Sequence, residues 1–132
     1  MNRAGPIGPR RLSTVRSGLA RDHGNEAAEA HLFLEHCRVL RALGKLGDAL
    51  VPCQRAATIQ QRLRDRGREA QTLDEAGQTY LEIVQPEEAV NFHRRAVSLN
   101  RQAGDRWRLA VSLFHLTNAL ISTGAASQGQ DS

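Results

Sequence analysis

Four residues close together in the chain have the types that bind metal ions: His31, Glu35, His36 and Cys37. A zinc site needs such side chains converging on one point. On a helix, only His31 and Glu35 would share a face, whereas His36 and Cys37 are expected to point toward the core. The spacing therefore predicts no metal site.

Two other features could suggest chemistry but lack the rest of a motif. The pair Gly44-Lys45 resembles the end of a phosphate-binding loop, but Leu46 follows the lysine and the earlier glycine of that loop is missing. Cys37 and Cys53 are expected on facing helices as buried, unreactive thiols. No nucleophile-elbow motif occurs. We therefore predict no catalytic residue, no metal and no cofactor, in a protein that is not an enzyme.

The helices that carry these residues belong to a repeat of forty residues. A shift of the sequence by forty, without any gap, places similar residues on one another. The aligned sets are Asn25, Asp65 and Asp105; Ala30, Ala70 and Ala110; Phe33, Leu73 and Leu113; and Leu40, Tyr80 and Leu120. A gapless period of this length is typical of stacked supersecondary units.

Helix signals divide the chain into units. Asn25 and Asp65 are predicted N-caps, and Gly44 and Gly104 are predicted to end helices. The units are 25–64, 65–104 and a half-unit, 105–124, which together give about five helices. Residues 1–24 form a basic arm, irregular up to residue 9 and then resembling the eroded second helix of a preceding unit. Residues 125–132 are expected to be disordered.

The net charge of the chain resides in the arm. The chain carries +4 overall, and residues 1–24 hold one acidic residue against five arginines: Arg3, Arg10, Arg11, Arg16 and Arg21. The repeat body is balanced, so it gives no sign of a nucleic-acid surface. No apolar run approaches the length of a membrane span. Two cysteines are too few for a disulfide scaffold, which favours a cytoplasmic protein.

The second unit resembles a known repeat family. Gly77, Ala89 and Ala96, with Tyr80 three residues after the glycine, resemble the tetratricopeptide signature, as does the segment "TYLEIVQPEEAVNFHRRAV". The forty-residue period and the junction "AGDRW" resemble the longer subclass of this repeat, as in bacterial signalling ATPases and regulators. The resemblance implies an all-α fold, a right-handed superhelix of antiparallel helix pairs. Its concave face would bind a peptide or a partner protein.

The same resemblance implies which residues line that concave groove. They come from the first helix of each unit: His31, Leu34, Arg38, Arg41, Gln71, Asp74, Gln78, Glu82, Phe114, Asn118 and Ile121. The groove would be basic at one end, acidic in the middle and apolar at the other end. Arg38 and Arg41 could pair with an acidic ligand, or the whole face could simply be solvated.

Two function classes follow from these observations. The first is a non-enzymatic interaction module, part of or derived from a larger signalling or regulatory protein. The alternative is a nucleic-acid-associated regulator that uses the arginine-rich arm, and steep salt dependence of binding would distinguish it. A stripe of four leucines on the last helix also predicts self-association, or else a marginally stable fragment of a longer array: Leu109, Leu113, Leu116 and Leu120.

Overall fold

The protein is an array of consecutive helices. The structure, a computed structural model, describes the backbone of residues 4–131 and the side chains of residues 22–124. The helices are α1 (Ala4–Ala42), α2 (Leu46–Arg62), α3 (Arg66–Glu82), α4 (Pro86–Ala103) and α5 (Arg106–Asp131). Each helix packs against the next, and α3 also contacts α1 and α5. The predicted all-α helical repeat is confirmed.

The turns between helices repeat every twenty residues with one backbone shape. In each turn a residue with positive φ ends the helix, and the next amide donates to the carbonyl five residues earlier, as Lys45 N does to Leu40 O at 2.9 Å. The residues with positive φ are Gly44 (79°), Arg64 (57°), Val84 (68°) and Gly104 (73°). The two glycines were predicted as helix ends. Arg64 and Val84 take the same conformation although side chains disfavour it.

The predicted N-cap Asp65 is confirmed, and Asp105 makes the same hydrogen bond at the start of the predicted half-unit. Asp65 accepts a hydrogen bond from the amide of Arg68 at 3.3 Å, and Asp105 accepts one from the amide of Arg108 at 3.0 Å. Both aspartates occupy the same place in the forty-residue repeat. Each satisfies an amide that the first turn of a helix leaves without a partner.

The predicted N-cap at Asn25 is wrong. Helix α1 begins at Ala4 and continues through Gly24 and Asn25, so Asn25 does not cap a helix and the arm is not a separate, preceding helix. A glycine inside a helix costs only about 1 kcal/mol, which neighbouring helix-forming residues offset. Helix α5 likewise continues to Asp131, through alanines and glutamines that favour helix, rather than ending at the predicted disordered tail.

Alanines allow the paired helices to approach closely. Ala49 and Ala56 of α2 and Ala89 and Ala96 of α4 are all fully buried. Each packs among larger apolar residues of the neighbouring helices, as Ala96 does with Ala70 and Leu73. Within the described part of the chain, no helix combines the length and the apolar character needed to cross a membrane.

Candidate functional site

The first helices of the units, α1, α3 and α5, lie side by side and form one face of the array. This face carries a cavity of about 380 Å³, which we call the central cleft. The cleft lies mainly between α3 and α5, with one residue each from α1 and α4. Its lining residues are Arg41, Gln71, Asp74, Glu75, Gln78, Asn100, Trp107, Arg108, Val111 and His115.

Glu75 connects the central cleft to two arginines of α1. It accepts hydrogen bonds from Arg38 Nε at 3.2 Å and from Arg41 Nη1 at 2.6 Å. Arg38 also pairs with Glu35 at 2.6 Å, and Arg41 pairs with Glu82 at 3.0 Å. Burial alone would lower the pKa of Arg38, but Glu75 and Glu35 outweigh it and the pKa is raised. Both arginines are thus already held by carboxylates of the protein itself.

A buried chain of hydrogen bonds lies beneath the cleft and links α3, α4 and α5. Asp74 Oδ1 lies 2.7 Å from His93 Nδ1, and Ser112 Oγ donates to Asp74 Oδ2 at 2.5 Å. Asn100 Nδ2 donates to Ser112 Oγ at 2.8 Å. Serine, histidine and aspartate meet here, but Ser112 bonds to the carboxylate instead of to the second imidazole nitrogen. The arrangement is therefore not that of a nucleophilic triad.

The imidazole of His93 occupies the space left by Gly77. A Cβ atom at residue 77 would lie 2.5 Å from His93 Cε1, closer than any real contact. The His115 ring stacks on His93 with centroids 5.3 Å apart and planes 18° apart. The pKa of His115 is lowered, mainly by burial. The nearby Asp74 carboxylate acts to raise this pKa, and His93 acts to lower it further. His115 is therefore neutral near pH 7.

The structure brings part of the predicted groove together. Four predicted residues line the central cleft: Arg41, Gln71, Asp74 and Gln78. Two more, Arg38 and Glu82, form ion pairs with cleft residues. His31 and Asn118 are exposed side chains of the same helices, α1 and α5. The groove was predicted to be basic at one end, acidic in the middle and apolar at the other end. The cleft does not have this order, because the basic Arg41 pairs with the acidic Glu75 and Glu82 in one place.

Three predicted groove residues have other surroundings. The prediction for Leu34 is wrong, because this side chain is only 3% exposed and packs with Ala56 and Ile59 between α1 and α2. Phe114 and Ile121 are 62% and 64% exposed. Each helical residue adds about 100° of rotation, so both lie well around α5 from the side on which Val111 and His115 meet the cleft.

The predicted leucine stripe of α5 is divided between core and surface. Leu116 packs on the buried cluster of Ala89, Val90 and Ala119, and Leu109 is half-buried. Leu113 and Leu120 are exposed. The uncovered apolar surface, which we call the α5 face, consists of Leu113, Phe114, Leu120 and Ile121.

Sequence reasoning missed several residues of the cleft. Glu75, Trp107, Val111 and His115 all line it, and Glu75 organises the two arginines of α1. A signal was present for Val111, because the shift by forty carries the predicted groove residue Gln71 to it, whereas His115 corresponds to Glu75, which was itself missed. Trp107 has no such signal, because Gly67 occupies its place in the preceding unit.

Comparison with known proteins agrees with this architecture. A family model described as tetratricopeptide repeat matches residues 26–102, which is more than half of the chain. The chain belongs to the tetratricopeptide repeat family. Tetratricopeptide repeats generally mediate protein–protein interaction and are generally not enzymes. A comparison with curated proteins found no match. The forty-residue subclass and the bacterial signalling context stay predictions.

The remaining candidate residues of this tetratricopeptide array are placed as follows. His36 is exposed rather than directed to the core, whereas Cys37 and Cys53 are buried in one cluster. Among the described side chains, no three potential metal ligands come together. The arginine side chains up to Arg21 lie outside the described side chains. The nucleic-acid alternative therefore stays a prediction.

Proposed function

We propose that this tetratricopeptide array binds an extended segment of a partner protein along the face formed by α1, α3 and α5. The central cleft supports this proposal, because a cavity of about 380 Å³ can take one or two side chains of a ligand. The module would work in the cytoplasm within a signalling or regulatory protein. Catalysis has no part in the proposal.

Gln71 and Gln78 are suited to hold the backbone of such a segment. Both line the cleft, and an amide side chain offers a donor and an acceptor to a peptide group. Seven residues along α3 correspond to about 10 Å, since a helix rises about 1.5 Å per residue. An extended ligand covers that distance with about three residues. The two glutamines would therefore contact peptide groups about three residues apart.

Selection from a random linear peptide library displayed on phage tests this proposal. Peptides that bind the intact chain should lose about thirtyfold in affinity for the variant with Gln71→Ala and Gln78→Ala, since each truncation removes a contact worth about 1 kcal/mol. Arg94→Ala, at an exposed position on α4, is the matched control and should leave binding unchanged. Selected peptides that bind the double variant as tightly as the intact chain would refute the proposed site.

The α5 face supports a second proposed interaction, self-association of the chain. Leu73 of α3 is covered by α4 and α2 and is 2% exposed, whereas its counterpart Leu113 is 39% exposed. Ile121 corresponds to Leu81, which packs on the cluster around Val90. Three of the four residues of the α5 face thus correspond to apolar residues that other helices cover, and the fourth, Phe114, corresponds to Asp74. Exposed apolar surfaces such as this face mark protein–protein contacts.

Sedimentation equilibrium tests the self-association. The intact chain should form dimers, and Ile121→Glu should shift the population to monomers because a charge would be buried at the contact. Ile121 serves better than Leu116 here, since Leu116 also packs within the chain. Val51→Glu, on the exposed side of α2, introduces the same charge away from the α5 face and should leave the dimer intact. A monomeric intact chain would contradict the proposal.

A further inference from the structure

We infer that the partner segment places a basic side chain, arginine or lysine, in the central cleft, where it pairs with Asp74 and stacks on Trp107. This inference rests on the proposed peptide-binding function and specifies the chemistry of the partner. It departs from the acidic ligand that Arg38 and Arg41 suggested in the sequence.

The charges around the cleft favour a cationic ligand. Three arginines at or beside it are paired within the chain: Arg38, Arg41 and Arg108. Their partners are four carboxylates: Glu35, Glu75, Glu82 and Asp105. The cleft lining itself carries two arginines, Arg41 and Arg108, and two carboxylates, Asp74 and Glu75; both arginines are paired, and Asp74 has no arginine partner among the described side chains. An acidic ligand would have to displace Glu75 from two arginines at once.

Asp74 is the carboxylate of the cleft that lacks a guanidinium partner among the described side chains. Its hydrogen-bond partners are Ser112, which is neutral, and His93. Each carboxylate oxygen can accept more than one hydrogen bond, and the side chain keeps 13% of its surface exposed in the cleft wall. A carboxylate held in place in a partly desolvated cavity binds a cation more strongly than one in water.

Two residues of the same wall have polar atoms without a hydrogen-bond partner among the side chains that the structure describes, although neither atom is itself exposed in the cleft. Asn100 is 2% exposed and lines the cleft, and its Oδ1 accepts no hydrogen bond from the described residues. His115 also lines the cleft, and its Nδ1 has no partner within the same part of the chain. Buried polar atoms normally find a partner, because leaving one unsatisfied costs stability.

Trp107 provides an aromatic surface in the lining of the same cleft. The indole is 77% exposed although it lines the cleft, so a large apolar surface remains available to a ligand. The face of an indole attracts cations, and arginine stacks on it while keeping its donors free for a carboxylate. Asp74 and Trp107 can therefore act on one basic side chain together.

The test starts from the peptides selected in the phage experiment. The selected peptides whose binding depends on Gln71 and Gln78 should share an arginine or lysine at one position. Replacing that residue by citrulline, which keeps the shape of arginine but not its charge, should weaken binding at least about tenfold. Trp107 is the only tryptophan in the chain, so binding of the basic peptide should change its fluorescence and the citrulline peptide should do so far less.

Variants of the cleft separate this inference from the proposed function. Gln78→Lys places a positive charge in the cleft wall and should weaken binding of the arginine peptide more than binding of the citrulline peptide. Gln61→Lys makes the same charge change at an exposed position on α2 and should leave the binding of both peptides unchanged. Cleft-dependent peptides without a basic residue, or equal binding of the arginine and citrulline peptides, would overturn the inference and leave the proposed function standing. Peptides that bind the variant with Gln71→Ala and Gln78→Ala as tightly as the intact chain would refute the proposed function itself.

Discussion

Gly77→Ala is expected to lower the free energy of unfolding by about 2–3 kcal/mol, because the added methyl group would overpack a closed core site. The new Cβ would lie 2.5 Å from His93 Cε1 and 2.6 Å from Nε2. The ring cannot move away cheaply, since it is fully buried, hydrogen-bonded to Asp74 and stacked on His115. Urea unfolding followed by circular dichroism measures the change.

Gly67→Ala is the matched control for this prediction. Gly67 lies in the same helix, α3, but nothing lies within 4 Å of a Cβ placed there. Alanine favours helix over glycine by up to about 1 kcal/mol, so this variant should be equally stable or more stable than the intact chain. If both glycine variants gained stability, the close contact between Gly77 and His93 would be wrong.

The regular part of the fold could be predicted because each unit repeats the same physical requirements. Small residues at positions such as Ala56 and Ala96 let paired helices approach, and both are fully buried in the structure. Asp65 and Asp105 satisfy the amides of a first turn. These requirements are local in sequence or set by one neighbouring helix, so a period of forty residues is enough to reveal them.

Some helix ends could not be recognised from the residue type alone. Arg64 and Val84 end helices at positive φ with a side chain present, which a reading based on glycine overlooks. Asn25 resembles a cap by its type and spacing, yet the preceding residues continue the helix. A cap residue marks the start of a helix only where the chain before it leaves the helical conformation.

The cleft was less predictable than the fold because its residues act across helices. Glu75 was not singled out in the sequence, yet it holds arginines that are more than thirty residues away. Leu34 was assigned to the groove by its position in the repeat, but α2 covers it. A shift by forty aligns equivalent positions of two helices. It does not give the rotation of each helix about its own axis, which decides which side chain enters a cavity.

The buried hydrogen bonds explain how the cleft keeps its shape. Asp74 belongs to α3, His93 to α4 and Ser112 to α5, and the carboxylate of Asp74 bonds to the other two. The same carboxylate is therefore fixed in orientation before any ligand arrives. A fixed carboxylate loses little conformational entropy on binding, which favours recognition of a cation.

Acidification is expected to destabilise the chain through His115. Its pKa is lowered in the folded state, mainly by burial, from an unperturbed value of 6.5. Between the lowered pKa and 6.5 the unfolded chain binds more protons than the folded one, so stability falls as the pH drops through 6.5. One proton changes the free energy of unfolding by at most about 1.4 kcal/mol per pH unit.

His115→Phe should reduce this loss. Phenylalanine keeps a flat ring that can stack on His93, but it has no proton to gain. Urea unfolding at pH 7.5 and at pH 5.5, chosen on either side of about 6.5, should show a smaller drop for the variant than for the intact chain. Glu69 acts in the opposite direction, because burial raises its pKa above 4.5 and its contribution to stability grows on acidification. That contribution is common to both proteins, so it cancels in the difference between them. Equal drops in the two proteins would mean that His115 titrates alike in the folded and unfolded states, and that its burial between α3 and α5 does not disfavour the charged ring.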